Sequence, residues 1–144
     1  MRQVYLEFPV GGYKVTATLQ EEVEKELVNK FWEAADGSEF ICCHPFSAGY
    51  SFNAQPLPGS HFPCIASETP WTLCEMEEGQ LHYDGYRFRC TYGPVTEPMT
   101  LNYGIVANVD PECLDAFKKA CMKVWEYMAY YHKTATIILS KKED

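Results

Sequence analysis

QVYLEFPVGGYKVTATL, residues 3–19, decides the kind of fold this chain builds. Apolar and polar residues alternate from Gln3 to Phe8 and again from Tyr13 to Leu19, as in strands with one buried face. Gly11-Gly12 between them supplies a turn. An antiparallel hairpin therefore opens the chain. From Gln20 to Ala35 the period changes: Val23, Leu27, Phe31 and Ala34 fall on one helical face, and Glu21, Glu22, Glu24 and Glu26 crowd the first turns, where the helix dipole favours negative charge. Asp36-Gly37 then reads as the helix end. A strand follows at Glu39–His44, then a proline-rich stretch. Two strands, Gln80–Tyr83 and Tyr86–Tyr92, flank the turn dipeptide Asp84-Gly85, and Thr100–Val109 is a further strand. Asp110-Pro111 reads as an N-cap with proline at the first helical position, predicting a second helix from Pro111 to about Tyr131. Its buried stripe would be Leu114, Phe117, Cys121, Val124, Trp125 and Met128. The β-branched run at Thr134–Ser140 ends the pattern. Many strands with only two helices predict a mainly β, antiparallel barrel or strongly curved sheet, not a parallel doubly wound one.

Composition narrows the classes. At 144 residues the chain is read as one domain spanning 1–144, able to bury roughly 70% of its unfolded surface. The net charge is −8, and only Arg2, Arg87 and Arg89 of its twelve basic residues are arginine, so a phosphate backbone would be repelled and nucleic acid is not an expected partner. No segment approaches the roughly 20 apolar residues of a membrane span, so no membrane is expected either. The opening MRQVYLEFPV lacks the apolar centre of a secretory leader. Seven cysteines, an odd number, then suggest free thiols in a reducing cytoplasm rather than a disulfide framework.

The order of hairpin, helix, several strands, helix and last strand resembles the cyclophilins, and most closely a family of small bacterial cyclophilin-like proteins of unassigned function. The resemblance runs through Ala17-Thr18-Leu19 into the helix bearing Phe31-Trp32-Glu33, through Gly79-Gln80-Leu81 to Tyr92-Gly93, through Asn102 to Ala107, and through Val124-Trp125 to Thr134–Leu139. It implies an eight-stranded antiparallel barrel with two flanking helices. It also implies what prolyl isomerases of this fold need, an arginine in a Phe-His-Arg context that hydrogen-bonds the twisted amide. The corresponding region here is Phe40-Ile41-Cys42-Cys43-His44-Pro45, and no arginine stands between Arg2 and Arg87. Without that donor the rotating amide loses its electrostatic support.

Residues 40–67 contain no Asp, Glu, Lys or Arg, although 22% of the whole chain is charged. The stretch is read either as two ordinary core strands with polar turns or as a surface covered by a ligand or a second subunit. Within or beside it, His44 and His61 are the candidate acid–base residues, since histidine titrates near neutrality. Cys43 or Cys64 could act as a thiol nucleophile beside either. A metal is not expected: there is no CxxC pair, and Cys42 and Cys43 are adjacent on a strand and point to opposite faces. No cofactor is called for. Tyr50, Phe52 and Asn53 would line a pocket. Arg87 and Arg89, two apart on one strand, share a face and are either solvated or an anchor for a carboxylate, with Asn102 and Tyr103 supplying neutral hydrogen bonds.

Three functions remain open: an enzyme or binding protein for a small polar or acidic metabolite, a non-catalytic assembly module, and a residual prolyl isomerase. The uncharged stretch and the tyrosines Tyr127, Tyr130 and Tyr131 also predict a homo-oligomer.

Overall fold

The computed structural model describes residues 1–56 and 69–143. Its eight strands are β1 (Gln3–Phe8), β2 (Tyr13–Leu19), β3 (Asp36–Cys43), β4 (Gly49–Pro56), β5 (Gln80–Tyr83), β6 (Phe88–Val95), β7 (Gly104–Val109) and β8 (Thr136–Lys142). Helix α1 (Lys25–Ala34) follows β2, and α2 (Leu114–Ala129) precedes β8. The strands close into a barrel in the order β1-β2-β7-β5-β6-β4-β3-β8, with β8 paired back to β1 and every pairing antiparallel. Closure leaves no exposed sheet edge.

Strand alternation fills the interior. Val4, Leu6 and Phe8, Val15, Ala17 and Leu19, Phe52 and Ala54, Phe88, Cys90 and Tyr92, and Ile137 and Leu139 all belong to one buried cluster. The helices plug it. Phe31 of α1 meets Tyr83 and Phe88 edge-on at 5.2 and 5.9 Å, while Phe117 of α2 meets Phe8 at 6.3 Å. Phe88 begins β6 and Phe8 ends β1. These strands are four antiparallel steps apart and run in the same sense, so the two helices close opposite ends of the barrel.

Several local expectations shift. Helix α1 begins at Lys25 rather than Gln20, because the preceding backbone is still bound in the sheet: Leu19 N–H donates to Arg2 O, and Gln20 N–H to Val106 O. Glu21 is held by Arg2, whose Nε lies 2.7 Å from its carboxylate. Val23, placed on the buried face by periodicity, is therefore 51% exposed. Asp36-Gly37 does not cap the helix. It opens β3, with Gly37 at φ +89° where the pairing to β8 shifts between Asp36 and Ser38. One type of β-bulge uses a glycine in that left-handed conformation. The strand expected from Thr100 starts only at Gly104. The strand expected at Tyr86–Tyr92 runs from Phe88 to Val95. Residues 111–113 form a 3-10 turn before α2, which ends at Ala129. β4 occupies part of the uncharged stretch, with Phe52 fully buried.

Asp110 precedes the 3-10 turn, but its side chain does not cap it as the sequence suggests; the carboxylate is used elsewhere. Its carboxylate accepts hydrogen bonds from Gln3 Nε2 at 2.8 Å, Thr18 Oγ1 at 2.5 Å and Thr16 Oγ1. Its backbone N–H donates to Thr16 O, and its carbonyl accepts from Cys113 N–H. One buried side chain thus ties the opening hairpin to the approach of α2. Removing it strands three hydrogen-bond donors, each costing about 1–3 kcal/mol when unpaired and buried. Asp110→Ala should lower unfolding free energy by about 2–3 kcal/mol in urea titration. A loss below about 0.5 kcal/mol would show that the clamp contributes nothing.

Candidate functional site

The hairpin around Asp84-Gly85 sets the register that builds the site. Asp84 Oδ1 accepts the backbone N–H groups of Tyr86 and Arg87, and Gly85 takes φ +92°. The turn pairs Tyr83 with Phe88 and hence His82 with Arg89. On the other side of β6, Arg89 pairs with Asn53 of β4. Asn53, Arg89 and His82 therefore form a row across three adjacent strands, with Ser51 and Thr91 as the next pair along. Alternation turns this row away from Phe52, Phe88, Cys90 and Leu81, which fill the interior. It lies on the outer wall.

The outer wall is nevertheless dry here. Trp71 N–H donates to Tyr103 O at 3.1 Å, Leu73 N–H donates to Met99 O at 2.8 Å, and Thr72 bridges Thr100. These two segments form a covering layer in which Leu73, Met76 and Tyr103 make a second apolar cluster, flanked by Trp71, Val95 and Leu101. Trp71 meets the His82 ring edge-on at 4.9 Å. Beneath the layer, Arg89 is 1% exposed and His82 is 0% exposed.

The polar atoms under this cover are incompletely satisfied. Arg89 Nε donates to Ser51 Oγ at 2.7 Å. Its Nη2 lies 3.5 Å from Glu97 Oε2, an ion pair without the alignment of a hydrogen bond. The Tyr103 hydroxyl, close to Arg89 and Asn53, has no well-formed hydrogen bond of its own, and neither ring nitrogen of His82 has a partner. Burial lowers the affinity of Arg89 for its proton. It also pushes the Tyr103 hydroxyl up to about 12, helped by Asp84. His82 is pushed down to about 3, first by burial and then by the charge of Arg89, so its imidazole is neutral at physiological pH. A base held that low abstracts protons poorly but offers one donor and one acceptor nitrogen.

The residues singled out from sequence are divided among different places. Arg89, Asn53 and Tyr103 are brought together. Arg87 shares their face but is half-exposed, with Nε 3.2 Å from Asp84 Oδ2 and its guanidinium 5.8 Å from the Tyr103 ring. Asn102 is exposed beside the cluster. Phe52 points into the barrel. Tyr50 lies elsewhere, at a cleft of about 440 Å³ lined by Tyr92, Pro94, Met122 and the ion-paired Glu78 and Lys118. Its ring packs on Gly93, where a Cβ would come within 2.8 Å.

His44 is buried between Phe52 and Trp125, with ring centroids at 5.5 and 4.7 Å. Its Nδ1 is 2.9 Å from Pro45 O, which can only accept, so Nδ1 carries the proton. Nε2 is then the acceptor for the Tyr92 hydroxyl at 2.8 Å. Both nitrogens are committed, and burial lowers this histidine's basicity as well. Cys43 is exposed at the end of β3, whereas Cys42 is buried in the barrel. His61 and Cys64 lie outside the described residues. Among the described residues, no group of three or more His, Cys, Asp or Glu side chains could hold a metal ion, and no helix is long and apolar enough to cross a membrane.

His82, Ser51, Glu97 and Trp71 were not anticipated. The turn dipeptide alone misplaces His82: counting outward from a two-residue Asp84-Gly85 turn sets it opposite Arg87, whereas the loop spans residues 84–87 and sets it opposite Arg89. Glu97, eight residues past Arg89, and Trp71, eleven before His82, carry no signal of this kind, because both lie outside the strands whose alternation sets the row.

No family model and no curated protein matches the sequence. Among solved structures, the chain superposes on McbB, determined in complex with tryptophan, with a TM-score of 0.83 at 18% identity, covering 98% of this chain. It spans 45% of the McbB chain, so it corresponds to less than half of that protein. It also superposes on a cyclophilin-type peptidyl-prolyl cis-trans isomerase of Cryptosporidium parvum, determined in the presence of the dipeptide Ala-Pro. There the TM-score is 0.60 at 14% identity, covering 99% of each chain. The fold is cyclophilin-like. Identities this low carry no more than that.

The buried histidines make stability pH-dependent. An unfolded histidine binds its proton near pH 6.5, while folded His82 refuses it until about pH 3. Across that window the unfolded chain holds the extra proton, so stability rises with pH, is complete above about 6.5 and is lost as pH falls. His82 alone contributes a slope of up to about 1.4 kcal/mol per pH unit. Urea midpoints should fall from about pH 7 to about pH 5, and less steeply in His82→Gln. Parallel profiles for the two proteins would refute the assignment.

Proposed function

We propose that the chain is a small-molecule binding protein whose ligand, a small carboxylate-bearing metabolite, occupies the covered outer wall at Arg89. One observation carries the reading. Arg89, His82 and Tyr103, each at most 1% exposed, present unsatisfied polar atoms on the same side of one sheet. Each unmet group costs about 1–3 kcal/mol, and more for a charge. Such groups call for a compensating partner, and three of them on one side of one sheet suit a bound ligand. A carboxylate fits the donor set: Arg89 Nη2 supplies charge, and the Tyr103 hydroxyl, the Asn53 amide and neutral His82 supply directional bonds. McbB, on part of which this chain superposes, was determined in complex with tryptophan, and a ligand of that size is consistent with this reading.

In this reading His82 orients the ligand rather than taking its proton. Of the acid–base candidates, His44 has both nitrogens engaged by Pro45 and Tyr92 and does not suit a chemical step, for which His61, Cys43 and Cys64 are the residues proposed. β3 lacks the arginine that the cyclophilin resemblance requires for prolyl isomerisation, and Arg89 stands on β6 instead.

A second reading rests on a different surface. Phe46 and Tyr130 are 79% and 71% exposed, Tyr131 is also exposed, and Phe46 packs on Trp125 of α2 at 5.3 Å. We propose that these aromatics join two copies of the chain. Sedimentation at about 100 µM should report a dimer, and Phe46→Glu with Tyr130→Glu should convert it to a monomer. A monomeric wild-type protein would refute this.

Calorimetric titration with a panel of small carboxylic acids tests the binding reading. At least one acid should bind, and Arg89→Gln should weaken it more than about tenfold while circular dichroism shows an intact barrel. Arg89→Lys covers the case in which the Gln variant does not fold. Arg87→Ala should have little effect, because Arg87 is already engaged by Asp84. Binding that survives both Arg89 substitutions would overturn the assignment.

A further inference from the structure

We infer that the ligand carries a protonated amine as well as a carboxylate, so that the site selects zwitterions of the amino-acid class. The inference rests on the Arg89 reading and adds the role of Glu97.

The charges at the site come as a pair. Glu97 Oε2 is 3.5 Å from Arg89 Nη2, close enough to neutralise it but without a hydrogen bond between them. The other carboxylate oxygen accepts a long bond, 3.3 Å, from Ser47 Oγ. Neither end of Glu97 is tightly engaged. Its side chain is 21% exposed against 2% for that of Arg89, so Glu97 faces the solvent side of the pair. A ligand bearing only a carboxylate would have to place its charge on Arg89 within a few ångströms of Glu97. In a dry site that repulsion offsets much of the attraction. A ligand bearing only a cation meets the reverse problem at Arg89. A zwitterion answers both, with its carboxylate on Arg89 and Tyr103 and its ammonium on Glu97. Each unlike contact is then a charge-assisted hydrogen bond, stronger than a neutral one.

Neutral His82 reinforces this selectivity. It adds a donor and an acceptor without adding a third charge that would unbalance the pair. Beside it the half-buried Trp71 ring, edge-on to His82, is the apolar surface open to a ligand side chain, backed by the buried Leu73 and Met76.

Two matched sets of probes test the inference by calorimetry: phenylalanine, 3-phenylpropionate and 2-phenylethylamine, and leucine, 4-methylpentanoate and isopentylamine. In at least one set the amino acid should bind about tenfold or more tightly than both single-charge analogues. Glu97→Gln keeps the shape and removes the charge. It should weaken the amino acid about tenfold and leave the simple acid unchanged or tighter, and Glu97→Asp should restore part of the loss. If simple acids bind as well as amino acids in an Arg89-dependent way, or if Glu97→Gln leaves amino-acid affinity intact, the zwitterion inference fails while the carboxylate site stands. If no acid of either set binds, both fail.

Discussion

A guanidinium held out of water organises one side of this barrel. Arg89 could have projected into solvent, as an outward-facing residue on a barrel strand usually does. Instead it lies under Tyr103 and the Trp71–Met76 segment, with a single short hydrogen bond to Ser51 and a loose ion pair to Glu97. A buried charge is tolerated only when its surroundings compensate it. The residues around it can be understood in that light: a carboxylate at the rim, hydroxyl groups on the neighbouring strand, and a histidine forced neutral by the same desolvation and the same charge. The compensation is incomplete, and that shortfall is the ground for the ligand proposed above.

The rest of the molecule supplies rigidity for this arrangement. The row Asn53–Arg89–His82 crosses three strands, so its spacing is set by sheet geometry rather than by loop conformation. The closed barrel, plugged at both ends by Phe31 and Phe117, holds those strands in register. The Asp110 clamp fastens the first hairpin to the approach of α2 on a remote part of the wall. By contrast, the cover over Arg89 is made of loops joined by a few backbone hydrogen bonds.

His44 shows how similar residue types take different roles in one fold. It is an uncharged imidazole like His82, lowered by burial in the same direction. Its two nitrogens are committed to Pro45 and Tyr92, however, and its ring faces lie against Phe52 and Trp125. It behaves as a core residue with satisfied polar atoms. What separates the two histidines at their sites is that the ring nitrogens of His82 are unmet while those of His44 are both engaged.

Much of the architecture was legible in the sequence because its signals are local. The alternation of residues 3–19, the Asp84-Gly85 turn, the Asp110-Pro111 helix start and the helical stripes through Phe31 and Phe117 each depend on residues within a turn or two of one another. The limits of α1 and the role of Gly37 were not legible, because contacts from Arg2, Val106 and β8 overrode the local pattern. The same reason hid most of the site. Strand alternation pairs Arg87 with Arg89, but it cannot say that one is half-exposed beside Asp84 while the other is sealed from water. That depends on Trp71, Leu73, Met76, Glu97 and Tyr103, which lie outside the strands and so outside any period that could place them. By itself the sequence determined which residues face outward on each strand. Only the tertiary structure decided which of those outward faces would be dry, because burial is a property of what lies on top of a residue and not of the residue's own period.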